Sequence, residues 1–493
     1  MKNLKITLSL LVLISITSCD DFLSETPDNR TQIDTPEKIS ELLVNAYPNA
    51  NYMDIAETMS DNVFDSGEQF GSAPLKNLQS YNWEMQDQTD IDTQAAYWDA
   101  CYRAIAHANK ALEAIEELGN TTDLQPQKGE ALLARAYAHF MLVTLWSNRY
   151  NPATADKDLG IPYVTEPEDV LIKKYTRNTV AEVFSLIQKD IEEGLPYVSN
   201  NYKEPKFHFN KNAAKAFASR FYLIKGDWDK VLEVSAELGA NPVGKLRDYE
   251  SYTFDDFNTQ RIRYAKSDEA TNLLIASPYS IYSRATSANR YYLSGARSEE
   301  IIGRETNIFN KDWYYSNYSY NGFITTFVPK YYEYFKYTNT TANIGEPYTA
   351  IVLLSNDEFY LNRIEALVMK NQLAEATTAL EYFLATRTDG YDPATDVLTE
   401  QDILDKYPVI VDEFTPFYTL SATQTSYIKA ITETRRRDFI HEGIRWFDVK
   451  RFNIVVEHER YNEPTIILAK DDKRRAIQIP LSASTNGVEK NPR

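Results

Sequence analysis

The sequence has few of the features on which disulfide-rich, membrane-spanning and nucleic-acid-binding proteins depend. Its 493 residues include only two cysteines, Cys19 and Cys101, and acidic side chains exceed basic ones by 71 to 52, giving a net charge of −19. A chain with such a negative field repels a phosphate backbone, so we expect no nucleic-acid partner. After the first residues, no apolar run approaches the roughly 20 residues of a membrane-spanning helix. With 43% hydrophobic residues, the chain should still bury a large core.

Signatures of catalysis and of metal binding are also scarce. None of the five histidines has a second metal ligand at helical spacing, and there is no glycine-rich phosphate loop or nucleophile elbow. We therefore expect no metal, no cofactor and no enzyme activity. Paired carboxylates for glycoside hydrolysis stay open, because their separation depends on the fold. The acidic cluster Asp87, Asp90 and Asp92 could bind calcium, although a solvated face is the favoured interpretation.

The first residues carry an export signal. Lys2 and Lys5 precede an apolar stretch at 6–16, which is too short to span a bilayer but suits the h-region of a signal peptide. The small residues before Cys19 indicate a lipoprotein cleavage site, so we predict a signal peptide at 1–18 and an acylated Cys19 at the start of the mature chain. Several acyl chains, such as palmitate, on one residue would anchor the protein to a membrane. An ordinary secretory peptide is the alternative, and Cys101 is expected to be a buried thiol.

Helical periodicity dominates two regions, about 35–240 and about 350–455. Two helical hairpins are predicted, one at 213–225 and 231–238 around Gly226, the other at 357–370 and 376–387 around Asn371. Glycine and asparagine both tolerate the left-handed conformation that such tight turns require. The pattern predicts an all-α fold in which tetratricopeptide-like hairpins form a superhelical scaffold.

Between about 249 and 350 the helical pattern stops. This stretch holds 16 of the 35 tyrosines. Loops of such length inside a compact protein are usually functional or disordered, and aromatic richness argues against disorder. We predict a loop-rich binding region carried on the helical scaffold, within a single domain that covers residues 19–493.

Two clusters combine the flat aromatic faces and the hydrogen-bonding groups that carbohydrate binding requires. The first cluster is Asp65, Asn82 and Trp83, near the N-terminus. The second, in the middle region, comprises Tyr282, Arg284, Tyr291, Tyr292, Trp313, Tyr314 and Tyr318. Trp313 is the leading single candidate for a ligand platform. The competing interpretations are packing of each ring beneath long loops and, for the first cluster, a capped turn.

Several segments together resemble the SusD/RagB family of outer-membrane nutrient-binding lipoproteins. The segments are 19–23, Tyr97-Trp98 with Tyr102, 134–137, 160–163, 360–366, 435–451, Ile479-Pro480 and 491–493. The resemblance covers nearly the whole chain, and segment 435–451 is the most specific part. One departure is Thr434, where the family often has a glutamate.

The resemblance implies an all-helical, tetratricopeptide-like scaffold with a loop-rich face that binds a nutrient. It also implies a TonB-dependent, SusC-like outer-membrane barrel as partner, over which the lipoprotein sits as a hinged lid on the cell exterior. In the late segment, Glu442, Arg445 and Asp448 would be fold landmarks, because arginine and carboxylate there are expected to pair with each other.

The leading hypothesis is a non-catalytic surface lipoprotein of polysaccharide utilisation that captures an oligosaccharide and delivers it to the barrel. Three alternatives stay open. The same transport role could serve peptides, the helical repeats could bind only proteins, and a hydrolase would release products.

Overall fold

Helices build most of the structure, a computed structural model that describes residues 33–68, 73–167, 173–321 and 326–493. The predicted signal peptide and Cys19 lie outside the described residues. The α-helices are α1 (Pro36–Leu43), α2 (Met53–Thr58), α3 (Leu75–Tyr81), α4 (Gln94–Glu117), α5 (Gln125–Trp146), α6 (Val180–Gly194), α7 (Lys211–Lys225), α8 (Trp228–Ser235), α9 (Tyr249–Tyr252), α10 (Phe257–Tyr264), α11 (Tyr282–Ala288), α12 (Gly295–Ile302), α13 (Tyr314–Tyr318), α14 (Asn356–Met369), α15 (Leu373–Ala385), α16 (Glu400–Lys406), α17 (Ala422–Asp438), α18 (Ile444–Arg451) and α19 (Leu481–Thr485).

Ten short strands join these helices in the described part of the chain. The strands are β1 (Phe64–Asp65), β2 (Asn272–Ala276), β3 (Tyr291–Tyr292), β4 (Tyr320–Asn321), β5 (Thr326–Phe327), β6 (Glu333–Asn339), β7 (Ile344–Thr349), β8 (Ile351–Ser355), β9 (Val456–Arg460) and β10 (Glu463–Leu468). They form antiparallel pairs only: β1 with β3, β2 with β8, β4 with β5, β6 with β7, and β9 with β10.

The two helical hairpins form where the sequence predicts them. Between α7 and α8, Gly226 has a φ of +79°, and a Cβ at this position would lie 2.8 Å from the Phe417 ring. Between α14 and α15, Asn371 makes the corresponding turn at a φ of +59°. Both turns need the left-handed region that these two residues tolerate. The predicted all-α class with tetratricopeptide-like hairpins is confirmed, and the strands are short additions to it.

Local sequence signals explain where the long helices begin. The Thr93 side chain accepts a hydrogen bond from the Ala96 N–H at the start of α4. At α6, Thr179 and Glu182 form a complete capping box. Nearly all of α5 is buried, because it packs against both α4 and α6 at the centre of the core. Cys101 of α4 is buried in this core, as expected, and burial raises the pKa of its thiol.

The middle region is inserted between α8 and α14 and is closed at its base by the β2–β8 pair. Leu274 of β2 lies opposite Leu354 of β8, and both side chains are buried. Beyond this base the chain forms short helices, short strands and loops. The β2–β8 pair is therefore one of the places where the scaffold holds the loop-rich region, together with the β1–β3 pair.

Buried ion pairs hold the late segment 435–451 together. The Asp448 carboxylate pairs with two arginines. Arg435 Nε lies 3.0 Å from its Oδ2, and Arg451 Nε lies 2.8 Å from its Oδ1. Arg445 binds both carboxylate oxygens of Asp61 at 2.8 Å. A buried charge is tolerated only when it is paired. The prediction that arginine and carboxylate in this segment pair with each other is confirmed for Asp448, whereas Arg445 pairs with Asp61 and Glu442 with Lys330, both outside the segment.

Among the described residues, none of the helices combines the length and the apolar composition needed to cross a bilayer.

Candidate functional site

The two clusters predicted from the sequence meet at the β1–β3 pair. Asp65 of β1 lies opposite Tyr291, and Phe64 lies opposite Tyr292. The Tyr291 ring also packs on Tyr81, the last residue of α3, with 4.9 Å between ring centroids. The fold thus joins the early cluster to part of the middle one.

Asp65 is an anchor within this junction. Its carboxylate pairs with Arg290 and accepts hydrogen bonds from the Gly67 and Tyr461 N–H groups, both at 2.9 Å. Burial alone would raise the pKa of Asp65, but the Arg290 and backbone hydrogen bonds outweigh it and lower the pKa below its usual value. Every one of these partners is a protein group, so the carboxylate is held in the β1–β3 junction by the fold itself.

The aromatic rings of this junction are buried. Trp83 is 2% exposed, its Nε1 donates to the Met59 carbonyl at 2.9 Å, and its ring stacks on His458 at 4.4 Å. Tyr282 and Tyr292 share a hydrogen bond of 2.6 Å between their hydroxyls, and both rings are fully buried. Tyr291 is buried as well, whereas Asn82 is half-buried beside them. The four rings present no open face to solvent in this conformation.

Trp313 is also buried among protein groups. The ring is 2% exposed, Nε1 donates to the Thr306 hydroxyl at 2.7 Å, and the Arg437 guanidinium lies 5.4 Å from the ring centroid. The indole therefore has its hydrogen-bond partner and its cation within the protein. A large apolar ring gains most by such burial, which is the physical reason for its position.

Two members of the predicted set have side chains at the surface, and one cannot be described. Arg284 of α11 has a side chain that is 63% exposed and pairs with Glu333. Tyr314, next to Trp313, is half-buried at the start of α13. The side chain of Tyr318 lies outside the described residues.

Tyr314 lines an open cleft of about 820 Å³. The cleft lies between the loop before α9, the α10–β2 connection and the turn after α15, and we name it the tyrosine cleft. A second tyrosine, Tyr391, lines it together with Arg263, Glu250 and Asp389. Tyr314 is fixed there because its N–H donates to the Arg387 carbonyl at 3.0 Å.

Two arginines give the tyrosine cleft a rigid wall. Arg263 Nη1 lies 2.9 Å from Asp255 Oδ2, and its guanidinium stacks on the Tyr252 ring at 4.2 Å. The deeper Arg247 donates to the Tyr252 hydroxyl at 2.7 Å and stacks on Tyr264 at 3.7 Å. Because both guanidiniums are held by several protein partners, this wall of the cleft has a fixed shape.

Both cleft tyrosines keep their protons at neutral pH. Burial, followed by the charges of Glu250 and Asp389, raises the pKa of Tyr314 to about 12. The pKa of Tyr391 also rises to about 12, through burial and then through its hydrogen bond to Glu381, which lies 3.1 Å away. The Tyr314 hydroxyl can therefore donate a hydrogen bond to a ligand, whereas the Tyr391 hydroxyl already donates to Glu381 and can accept one; the neighbouring carboxylates also accept. The arrangement suits a polyhydroxylated ligand with an apolar ring face.

Sequence reasoning missed Tyr391 and the residues around it. The segment Asp389-Gly390-Tyr391-Asp392-Pro393 is a turn, and Gly390 has a φ of +65°. An aromatic residue in an Asp, Gly and Pro turn on the surface was the available signal, since such turns often carry function.

The β6–β7 hairpin was also missed. On one face Tyr334 stacks on Tyr348, with 5.1 Å between ring centroids and 16° between ring planes. On the other face Phe335 and Tyr337 are exposed. The alternation of aromatic residues at 332–337 was its signal. The middle region therefore has open aromatic faces, but on residues other than most of those selected.

No three His, Cys, Asp or Glu side chains of the described residues lie together in a way that could hold a metal ion.

Comparisons with known proteins agree with this architecture. Residues 21–223 match a family model described as SusD-like, starch-binding and associating with the outer membrane, and residues 249–484 match the SusD family model. A SusD-like protein of Formosa agariphila is 25% identical over 420 residues, which is 75% of this chain and 74% of that protein.

Solved structures show the same fold. A putative sugar-binding protein of Bacteroides vulgatus has a TM-score of 0.69 and 18% identity, and the match covers 94% of this chain and 99% of that one. A SusD superfamily protein of Bacteroides thetaiotaomicron has a TM-score of 0.66 and 19% identity, with 93% and 100% covered. The chain belongs to the SusD/RagB family.

Proposed function

We propose that this protein is a non-catalytic, cell-surface glycan-binding lipoprotein that holds an oligosaccharide in the tyrosine cleft. One observation carries the proposal: a chain of the SusD/RagB family has an open cleft that combines two tyrosines with carboxylates and guanidiniums. Tyrosine faces pack against the C–H-rich face of a pyranose, and the charged groups match its hydroxyls. The sugar-binding names of its relatives support the ligand class.

Of the residues predicted from the sequence to bind the ligand, Tyr314 is the one that lines the tyrosine cleft. We propose that Tyr391, which was not predicted, binds the ligand beside it. Arg284 is exposed and stays a candidate contact near the β6–β7 hairpin. For Asp65, Trp83, Tyr282, Tyr291, Tyr292 and Trp313, we propose a packing role without direct contact with the ligand, because their side chains are buried.

The first experiment is affinity electrophoresis of the chain that starts after Cys19, through native gels that contain a panel of polysaccharides. We expect one class of polysaccharide to retard the protein, and we expect no product after long incubation. Product release would instead indicate a hydrolase. Calorimetry against a mixed peptide pool tests the peptide alternative, and binding of peptides with no retardation by any glycan would contradict the proposal.

Cleft variants then test the site. Tyr314→Ala and Tyr391→Ala should weaken binding, while Tyr197→Ala, at an exposed tyrosine outside the cleft, should leave it unchanged. Equal affinity in all three variants would contradict the proposed location.

The proposal includes attachment to the outer membrane through acylated Cys19 and delivery of the glycan to a TonB-dependent, SusC-like barrel. The outer-membrane association in the family description supports it. Metabolic labelling with a palmitate analogue should modify the full chain, and Cys19→Ala should abolish both labelling and membrane recovery. Co-purification of the full chain from outer membranes should recover the barrel, and its absence would contradict the transport role.

A further inference from the structure

A second open cleft lies beside the tyrosine cleft and has the opposite charge. It has a volume of about 470 Å³ and is lined by Lys206, Lys215 and Lys245, with Glu237 as the one carboxylate among its lining residues. We name it the lysine cleft. The lining of the tyrosine cleft, in contrast, has five carboxylates and two guanidiniums. Because the whole chain carries a net charge of −19, a concave surface with three ammonium groups is a local exception to a field that repels anions.

The two clefts are contiguous. Ala270 lines both of them. Across the wall between them, Arg247 of the tyrosine cleft donates to Asn272 Oδ1 of the lysine cleft at 2.7 Å. Lys206 Nζ also donates to the main-chain oxygen of Glu269, a residue of the tyrosine cleft. One extended ligand can therefore reach both clefts at once.

Glu237 occupies the lysine cleft as an exchangeable anion. Its side chain is 72% exposed and pairs with Lys215, and Lys245 Nζ donates to its main-chain oxygen at 3.1 Å. The hydrogen bond from Lys215, and then the charges of Lys215, Lys211 and Lys245, lower the pKa of Glu237. Exposed ion pairs contribute only ~0–1 kcal/mol, so an incoming oxyanion can displace this carboxylate at little cost.

We propose that the lysine cleft binds an anionic substituent, a carboxylate or a sulfate ester, of a glycan whose uncharged part lies in the tyrosine cleft. The inference rests on the proposed function and narrows its substrate class to acidic polysaccharides. Lys206 and Lys215 are half-buried, and a charge-assisted hydrogen bond to an oxyanion is stronger where water is partly excluded. The exposed amide of Asn212 on the same wall can bind a neighbouring hydroxyl.

Matched pairs of polymers provide the test. The carboxylate arm compares partly methyl-esterified polygalacturonate with the fully esterified polymer, and the sulfate arm compares sparsely sulfated dextran with dextran, so that each anionic polymer also has uncharged sugars. Affinity electrophoresis and calorimetry are done with the chain that starts after Cys19. In at least one arm we expect the anionic polymer to bind about tenfold more tightly than its neutral partner, and this preference should fall as salt is added. The arm that shows the preference identifies the anionic group.

Charge variants that should change the affinity for the anionic polymer in opposite directions show whether the lysine cleft is the anion site. Lys215→Gln and Glu237→Gln both break the same ion pair, so a purely structural role would make them alike. The anion site predicts about fivefold weaker binding of the anionic polymer for Lys215→Gln and for Lys206→Gln, and stronger binding for Glu237→Gln. Lys189→Gln, on the exposed surface of α6, is the control for the change in net charge.

Three results would overturn the proposed anion site in the lysine cleft. Equal binding of the charged and neutral polymers would overturn it and leave the proposed function intact, with Tyr314→Ala weakening both polymers equally. Equal effects of Lys215→Gln and Lys189→Gln would overturn it too, because only net charge would then matter. Retention of no polysaccharide by the wild-type chain would overturn both this inference and the proposed function.

Discussion

Trp313 and Tyr314 are neighbours in sequence, yet the structure predicts opposite consequences for their removal. The Trp313 ring is buried, with Nε1 bonded to Thr306 and the Arg437 guanidinium over the ring. Truncation of a buried tryptophan to alanine costs about 3–5 kcal/mol through lost burial and the cavity that is left. Tyr314 is half-buried at the edge of the tyrosine cleft, so Tyr314→Ala should cost about 1 kcal/mol.

Trp313→Ala and Tyr314→Ala should also differ in their effect on glycan binding. Loss of one aromatic platform should weaken glycan binding by about 1–2 kcal/mol, which is roughly fivefold to thirtyfold in Kd. Trp313→Ala, measured where it is still folded, should bind nearly as tightly as the wild type. Tyr314→Phe is the matched control, because it keeps the ring face and removes only the hydroxyl, so its loss should be smaller.

Urea unfolding followed by circular dichroism gives the stability change, and calorimetry with the retained polysaccharide gives the affinity. The transition midpoint should fall markedly for Trp313→Ala and little for Tyr314→Ala. If Trp313→Ala keeps wild-type stability but loses glycan binding, the indole is a ligand platform and not part of the core.

Three further predictions concern the scaffold. Arg445→Met leaves the Asp61 carboxylate without its bidentate partner and should destabilise the fold by about 3–5 kcal/mol in urea unfolding; a variant as stable as the wild type would contradict this. Burial, and then Arg475, lowers the pKa of Lys450 to about 7. Between pH 7 and pH 10, Lys450 therefore carries a proton in the unfolded chain but not in the folded chain. Its titration should raise the free energy of unfolding by about 2 kcal/mol from pH 7 to pH 9, and Lys450→Met should remove this rise. Gly226→Ala should lower the melting temperature more than Gly119→Ala does. Both glycines have a positive φ, but of the two only Gly226 would place its new Cβ 2.8 Å from an aromatic ring, so equal losses would contradict the contact with Phe417.

Local signals in the sequence predict much of the scaffold. The capping box at Thr179 and the turns at Gly226 and Asn371 depend on residues within a few positions of one another, so each is readable without the fold. In the family motif at 435–451, the predicted pairing holds for Arg435 and Arg451 with Asp448, whereas Arg445 pairs with the distant Asp61. These inferences succeed because the interacting groups are close in sequence or share a recognisable motif.

The binding surface is less predictable because burial is decided by distant parts of the chain. Trp83 is covered by His458, which is 375 residues away, and Tyr292 packs on His441. Composition marks the middle region as rich in aromatic residues, but it cannot distinguish the ring that faces the core, Trp313, from the next ring, Tyr314, which faces a cleft. Tyr391 enters the same cleft from a turn beyond α15, outside the predicted binding region.

Hydrogen exchange of the chain with and without its retained polysaccharide shows whether the glycan lies in the tyrosine cleft. We expect the glycan to slow exchange at residues 243–250, 263–270 and 385–391, which surround the tyrosine cleft. Backbone amides at β1 and β3 should exchange equally in both samples. Protection at β1 and β3 with no change around the cleft would contradict the claim and place the glycan at the junction of the two predicted clusters.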